Sequence, residues 1–371
     1  MKDNVKKIRY NSIRERLMSD ENIFLSISCS YIELKELLSL DDQLTLSKLH
    51  DVFNVKLIKK IIGDVRKKLK KILDKDEYFE VTVYFKPKKY NDKKEVVEFR
   101  PIHTASLNDQ IAMVAMLQVL VYDVDNYGKL TLSDLSRLLP AEFYGNKIAC
   151  NVRELFKPWN EQYSEYTSKA NELLNTYCET LEYKYEVSLD IENFFPSVNP
   201  KVLYNYIVQR LPLKLNGKDR KTMELIVKKL LFFKLKKINE TEILWYFQYK
   251  NDEKAEKKCN YAKGLPQGLP HSYFMANIFM LIVREVYAKI FEGKMLFYVD
   301  DSVIFTNGVN NKLDREKFEN CIKKINAEIK EYESSLYKEF PSECIPKDYD
   351  YAESDFGVKV HSSKKIDGKS A

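Results

Sequence analysis

Met295-Leu-Phe-Tyr-Val-Asp-Asp-Ser-Val-Ile-Phe305 sets two adjacent carboxylates, Asp300 and Asp301, between apolar runs. The runs read as two strands of a hairpin, and the tight turn between them must carry at least one of the acids. In isolation the pair needs no further explanation, because Asp favours turns. A third acid changes that reading. Asp190 closes the strand-like Val187-Ser-Leu-Asp190, and Ile191-Glu-Asn-Phe-Phe-Pro-Ser-Val198 after it is compatible with a helix. Between the first acid and the pair lies Gly264-Leu-Pro-Gln-Gly-Leu-Pro270, a stiff turn ahead of a helix that begins near Ser272. Three acids held together repel one another and partly protonate, whereas Mg²⁺ or Mn²⁺, which prefer oxygen ligands, keep them ionised. Asp190, Asp300 and Asp301 therefore point to a metal site.

These segments carry a family resemblance. Asp190 with Phe194-Phe195-Pro196-Ser197, the Pro266-Gln267-Gly268 loop leading into Ala276-Asn277-Ile278, and Tyr298-Val-Asp-Asp301 resemble motifs A, B and C of reverse transcriptases. Upstream, Phe99-Arg100-Pro101-Ile102 resembles the Arg-Pro-Ile/Leu element of the fingers in that family. Within the family, Arg100 to Gln110, Phe143-Tyr144-Gly145-Asn146 and the Pro266 to Pro270 wording are most similar to bacterial abortive-infection reverse transcriptases, the type A group especially. The resemblance covers roughly residues 95 to 371, and the first ninety residues join it by continuity.

The resemblance implies nucleotidyl transfer assisted by two metal ions, Mg²⁺ or Mn²⁺, that stabilise the attacking and leaving oxygens of an in-line displacement. Asp190, Asp300 and Asp301 would hold the ions, with Ile191 contributing its backbone carbonyl while its side chain packs beneath. Arg100 would set a planar bidentate donor against the triphosphate; a surface ion pair with a nearby Glu is the simpler reading. Phe195 falls where the family places a bulky ring under the sugar, which leaves no room for a 2′-hydroxyl and selects deoxynucleotides. That position speaks against an RNA-dependent RNA polymerase, although one of Phe194 and Phe195 is expected simply to be buried. Gln267 and Gly268 would lie by the nascent base pair, the Gly letting backbone approach closely, and Tyr298 would border the nucleotide. Val358-Lys-Val-His-Ser-Ser-Lys-Lys-Ile-Asp-Gly-Lys369 resembles the motif D strand and loop, in which Lys369 would protonate the leaving pyrophosphate, with Lys364 and Lys365 as rivals.

The implied partners are deoxynucleoside triphosphates and a DNA product. Abortive-infection relatives imply untemplated synthesis, growth of DNA from a Tyr hydroxyl, and a homo-oligomer; the chain has 25 Tyr, and the sequence does not single one out. A template-directed enzyme would use the same acids with an RNA strand across the palm. A third reading, from another class, makes the fold a scaffold for phage sensing or partner binding. It gives no reason for three acids in register.

Composition agrees with a nucleic-acid enzyme without requiring one. Apolar residues make up 44% of 371, ample for a core, and the net charge of +6 is a modest excess. Basic runs span Lys56 to Lys75, Lys214 to Lys237 and Lys254 to Lys263. In the first, Leu57, Ile58, Ile61, Ile62, Val65, Leu69 and Ile72 recur at helical spacing, so its lysines form the solvated face of an amphipathic helix and phosphate contact is an addition. Cys29, Cys150, Cys178, Cys259, Cys321 and Cys344 are scattered, without Cys-x-x-Cys or a zinc spacing. The start of the chain has no apolar signal core, and the longest apolar run, Ile111 to Val124, is too short for a membrane span. A cytoplasmic protein with no membrane partner is expected. His103, beside Arg100, reads as a structural His, and Ser302 as a turn hydroxyl.

The expected fold class is α+β, the fingers and palm of a right-hand polymerase. Residues 1–75 read as a helical N-terminal extension, 76–180 as fingers and 181–371 as palm, with no thumb in this chain and a C-terminal helical domain expected beyond it. Glu80 to Phe85 and Glu95 to Phe99 alternate as paired strands. Helices are expected over Asp109 to Asp123, Trp159 to Glu182 (polar), Lys201 to Leu231 (interrupted at Pro212 and Asn216-Gly217), Ser272 to Phe291 and Asp314 to Tyr337. Glu242 to Tyr249 reads as a strand, and helices are expected to line one side of the palm sheet.

Overall fold

The computed structural model describes residues 10–28, 37–49, 54–91, 96–125, 129–149, 154–236, 264–307, 315–337 and 357–366. The expected strand at Glu242 to Tyr249, the basic run Lys254 to Lys263 and Lys369 lie outside the described residues. Four helices open the chain: α1 (Ile13–Met18), α2 (Asp20–Ser28), α3 (Leu40–Leu49) and α4 (Val55–Asp74). Helix α4 starts at Asn54, whose side chain accepts from the Leu57 N–H at 3.3 Å. Its apolar period buries Ile58, Ile61, Ile62, Val65, Leu69 and Ile72, and most of its lysines stay in solvent.

The buried stripe of α4 packs on α5 (Leu107–Val121), which is apolar all round and buried along almost its whole length. Polar ties reinforce that contact where α5 leaves groups unsatisfied. The Arg16 guanidinium donates to Tyr122 O (2.7 Å) and Gln118 O (3.2 Å), capping carbonyls at the end of the helix. Asn22 donates to Ala115 O, and Lys68 pairs with the buried Asp109 at 3.0 Å. Helices α1, α2 and α4 thus share one core with α5 and the later elements of the chain.

Strands β1 (Glu80–Asn91) and β2 (Val96–Thr104) form a long antiparallel ribbon, with Lys86 opposite Arg100 and Val83 opposite His103. The ladder slips between Pro87 and Lys89, where Pro has no N–H to give it. After α5 come a small ribbon of β3 (Tyr122–Val124) and β4 (Leu130–Leu132), then helix α6 (Trp159–Thr180).

The second sheet carries Asp190 and Asp301 in its strands and Asp300 on the turn between two of them. It is built from β5 (Tyr185–Glu192), β7 (Gly293–Tyr298), β8 (Asp301–Thr306) and β9 (Gly357–Lys365), in the order β7-β8-β5-β9 with every neighbour antiparallel. A single helical turn, α7 (Phe194–Ser197), follows β5, and then come α8 (Pro200–Gln209) and α9 (Gly217–Leu231). The expected break between these two falls at Pro212 and Asn216, and Asn216 caps α9. The two-residue β6 (Lys234–Leu235) joins β1 in parallel. Helices α10 (Pro270–Ile290) and α11 (Arg315–Tyr337) complete the described elements.

Alternation in the strands gives the sheet two apolar faces. Val187, Leu189, Ile191, Phe297 and Ile304 face the core shared with α8, α10 and α11. Leu296, Val303 and Phe305 point the other way, onto Tyr166, Leu173 and Tyr177 of α6. The expectation of helices on one side is therefore corrected: α6, polar in overall composition, has a narrow apolar stripe that covers the second face. The α6 cover lies over β7 and β8, away from the end of that face where Asp190 and Asp301 sit.

Because α4 is part of the shared core, truncating it should be felt by the whole fold. Leu69→Ala, at a fully buried position, is expected to cost about 3 kcal/mol, read as a lower denaturation midpoint with one cooperative transition. A separate early transition for the helices would contradict a shared core.

Candidate active site

Pairing of Tyr298 with Asp301 leaves Val299 and Asp300 as the two turn residues of the β7–β8 hairpin. Asp300 sits at the tip, and Asp301 begins the return strand. Val299 has φ +57°, a left-handed value that two-residue hairpin turns normally give to Gly, Asn or Asp. For a β-branched residue it is strained, at a cost of about 1–3 kcal/mol, and persists only where its surroundings hold it.

Those surroundings come from the segment before α6. Phe297 N donates to Glu142 O (2.8 Å) and Tyr144 N to Phe297 O (2.9 Å), so residues 142–144 add a short parallel edge to β7. Gly145 then lies directly against the turn. A Cβ on it would stand 2.6 Å from Val299 Cγ2 and 3.0 Å from Val299 N. Helix α10 fixes this segment from behind: Asn277 donates to Gly145 O (2.7 Å) and Asn146 O (3.2 Å), and the Arg284 guanidinium holds Glu142 Oε1 through Nε (2.9 Å) and Nη2 (2.6 Å). The sequence singled out Gly145 and Asn277 only by resemblance, and it held no signal for Glu142.

Asp190 reaches the same place from the middle of the sheet. Leu189 faces Ser302 across the β5–β8 ladder, which sets Asp190 level with Asp301 on the face away from the core. Ser302, expected to be a turn hydroxyl, is instead a buried strand residue whose hydroxyl donates across the ladder to Leu189 O at 3.5 Å. Beyond β5, Asn193 takes φ +47° and turns the chain into α7. The Phe195 ring is then wedged edge-on between Phe194 (5.5 Å) and Tyr273 (6.0 Å), while Phe194 is the fully buried member of the pair.

The loop at 264–269 closes the arrangement with main-chain bonds. Leu265 N donates to Phe195 O (2.8 Å), and His103 N donates to Gln267 O (2.6 Å). One loop thereby joins the turn after Asp190 to strand β2. Gly268 makes that approach possible: its φ is +110°, and a Cβ would meet His103 O at 2.7 Å. His103 is buried, with its ring edge-on to Phe233, the structural role expected of it.

These elements enclose a cavity of about 490 Å³. Asp190, Ile191, Asp300, Asp301, Arg100, Phe195 and Gln267 all line it. Lys88, Asn193 and His361, which the sequence did not single out, line it too. Tyr298 and Gly268 support the cavity from outside its lining. The Tyr298 ring packs between Tyr163 (5.2 Å) and Tyr166 (5.6 Å) of α6, and its hydroxyl donates to Trp159 O at 3.4 Å. A larger cavity of about 700 Å³ beside Arg16, Asp123 and Asp219 contains none of the expected site residues.

Electrostatics single out Asp300. Burial, then Asp301 and Asp190, push its pKa up to about 6, and the Arg100 guanidinium draws it partly back. Asp301 is also raised, by burial and by Asp190, with His361 opposing. Among the described residues, no group of three or more His, Cys, Asp or Glu side chains forms a ready cage for a metal ion. The donor set nevertheless fits hard divalent cations: carboxylates from two strands and the turn between β7 and β8, all oxygen, one of them made harder to ionise by burial and then by its neighbours. Such a cation supplies the charge that this cluster lacks.

A family model described as "Reverse transcriptase (RNA-dependent DNA polymerase)" matches residues 145–339, more than half of the chain. No curated protein matches it. The matched span begins at the glycine under the hairpin turn and contains all three acids and the 264–269 loop.

A carboxyl group held above its ordinary pKa makes the fold less stable as pH rises, because the unfolded chain gives up that proton first. In metal-free buffer, Asp300→Asn is expected to raise stability by about 3 kcal/mol at pH 7. The gain should shrink as pH falls from about 6 and vanish near pH 4. Melting temperatures of the two proteins across that range decide it. A constant difference at all pH values contradicts the assignment.

Proposed function

This chain belongs to the reverse transcriptase family, a nucleotidyltransferase of the RNA-directed DNA polymerase type, and we propose that its cavity joins deoxynucleotides to a primer hydroxyl at Asp190, Asp300 and Asp301. The observation that carries this reading is the convergence of those acids with Arg100, Phe195 and Gln267 on one cavity, from segments up to about 200 residues apart in the chain. Two Mg²⁺ or Mn²⁺ ions, held by the three carboxylates and the Ile191 carbonyl, would supply the charge that activates the hydroxyl and stabilises the leaving phosphates.

The protein's own groups do the rest. Arg100 offers a forked donor to the triphosphate from the fingers ribbon. The Phe195 ring, fixed between Phe194 and Tyr273, lies under the sugar and excludes a 2′-hydroxyl. Gln267, tied through its carbonyl to His103 N, borders the base pair being formed. Lys369 is our candidate to protonate the leaving pyrophosphate.

We further propose the abortive-infection type of activity, an anti-phage defence enzyme making untemplated DNA that grows from a Tyr hydroxyl, in a homo-oligomer. It is supported by the similarity of the Arg100 to Gln110, Phe143 to Asn146 and Pro266 to Pro270 segments to that group. Template-directed synthesis on RNA is the second reading, and the family match favours it.

Incubation with labelled deoxynucleotides and Mg²⁺ or Mn²⁺, with and without primed RNA, separates the two, with Asp300→Asn as blank. Label that migrates with the protein without template is the expected result; label found only on the added primer makes the enzyme template-directed. Absence of any Asp300-dependent label would turn the reading to a scaffold. The sugar gate is tested separately. Phe195→Val is expected to raise ribonucleotide incorporation at least tenfold relative to deoxynucleotide, corresponding to about 1.4 kcal/mol or more of lost discrimination, and an unchanged preference removes Phe195 from that role.

A further inference from the structure

The register of β9 against β5 is irregular at one point. Ser188 faces Ser362 and Leu189 faces Val360, so two consecutive residues of β5 are matched by residues two apart in β9. His361 is the extra residue of a β-bulge. Bulges release one side chain from the ladder and re-aim it, and they recur beside active sites. Here the released side chain is exposed and lines the cavity that holds the three acids.

Charge indicates what it can meet there. A triphosphate brought next to three carboxylates needs positive or N–H donors around its outer phosphates. Lys88 and Arg100 offer them from β1 and β2, one wall of the cavity. The palm sheet forms the other wall, and Lys359, opposite Asp190 in the β5–β9 ladder, is ion-paired with Glu192. His361 stands on that second wall, near enough to Asp301 to favour its ionised form. An imidazole presents an N–H donor whether it is neutral or charged.

We propose that His361 is a further substrate-contacting residue, donating from the bulge to the outer phosphates of the deoxynucleoside triphosphate across the cavity from Arg100 and Lys88. This inference rests on reading the cavity as a nucleotidyl-transfer site. It adds a contact that the three acids and the 264–269 loop do not provide.

Equilibrium binding of dTTP and of dTMP to the full chain, in Mg²⁺, tests it with His361→Ala, His361→Gln and, as a control on the same strand, Ser363→Ala. His361→Ala is expected to weaken dTTP about tenfold, the size of one charge-assisted hydrogen bond, and to leave dTMP within about twofold. His361→Gln, which keeps an N–H donor, should recover part of the loss, and Ser363→Ala should match the parent. Equal dTTP binding by His361→Ala and the parent overturns the contact, as does an equal loss of dTTP and dTMP. Nucleotide incorporation with Asp300→Asn as blank reports separately on the site. Without Asp300-dependent incorporation, His361-dependent dTTP binding leaves the contact standing and sinks the transfer reading; a parent chain that binds no dTTP overturns both.

Discussion

Three carboxylates must be held at one end of a sheet, close enough that one of them resists ionising. Burial is the first cause of that resistance and the repulsion between the acids the second. Asp300 is buried beside Asp301 and Asp190, and its pKa rises to about 6 as a result. Left to itself a hairpin tip would splay its acids into water. It is prevented from doing so by Gly145 packed against Val299, by Asn277 on the Gly145 and Asn146 carbonyls, and by the Arg284 fork on Glu142. The polar supports are at least partly shielded from water, where hydrogen bonds are stronger and make a structure more rigid. The left-handed Val299 is the local strain that this scaffolding sustains.

A second constraint sets the cavity's shape. The 264–269 loop bonds to Phe195 O on one side and to His103 N on the other. These bonds fix the distance between the sheet that carries the acids and the ribbon that carries Arg100. Main-chain bonds suit that task, because they have no rotamers to lose and depend little on salt. Gly268 is required where the loop backbone meets that of β2. The long buried helix α5 serves the same end on a larger scale, since the N-terminal helices and the core of the palm both pack on it.

The cavity is also completed from outside the span that matches the family model. Residues 145–339 hold the acids, Phe195 and Gln267, whereas the basic residues of the lining, Lys88, Arg100 and His361, lie before or after it. Acids and basic groups therefore come from separate parts of the chain and meet only when the ribbon and β9 are docked. On the far half of the acid-bearing face, α6 excludes water from Leu296 and Phe305 and engages the Tyr298 ring.

The elements and the chemistry were legible in the order of residues. Alternation marked β1 and β2, apolar runs marked the hairpin and α5, helical periodicity marked α4, and Asp190 with Asp300 and Asp301 stood out because acids held together are costly without a cation. These signals are local, since period and turn preference act over a few residues. Whatever depends on contacts between distant segments was settled by the folded chain. The face of α6 was hidden because its apolar stripe is sparse, and Glu142 showed no signal because an ion pair with a partner 142 residues away leaves no local pattern. Tyr298 reads as a nucleotide neighbour in the sequence, yet its ring faces α6. Nothing in the sequence gives His361 a role, because a bulge is a property of two strands in register and no single strand can show it.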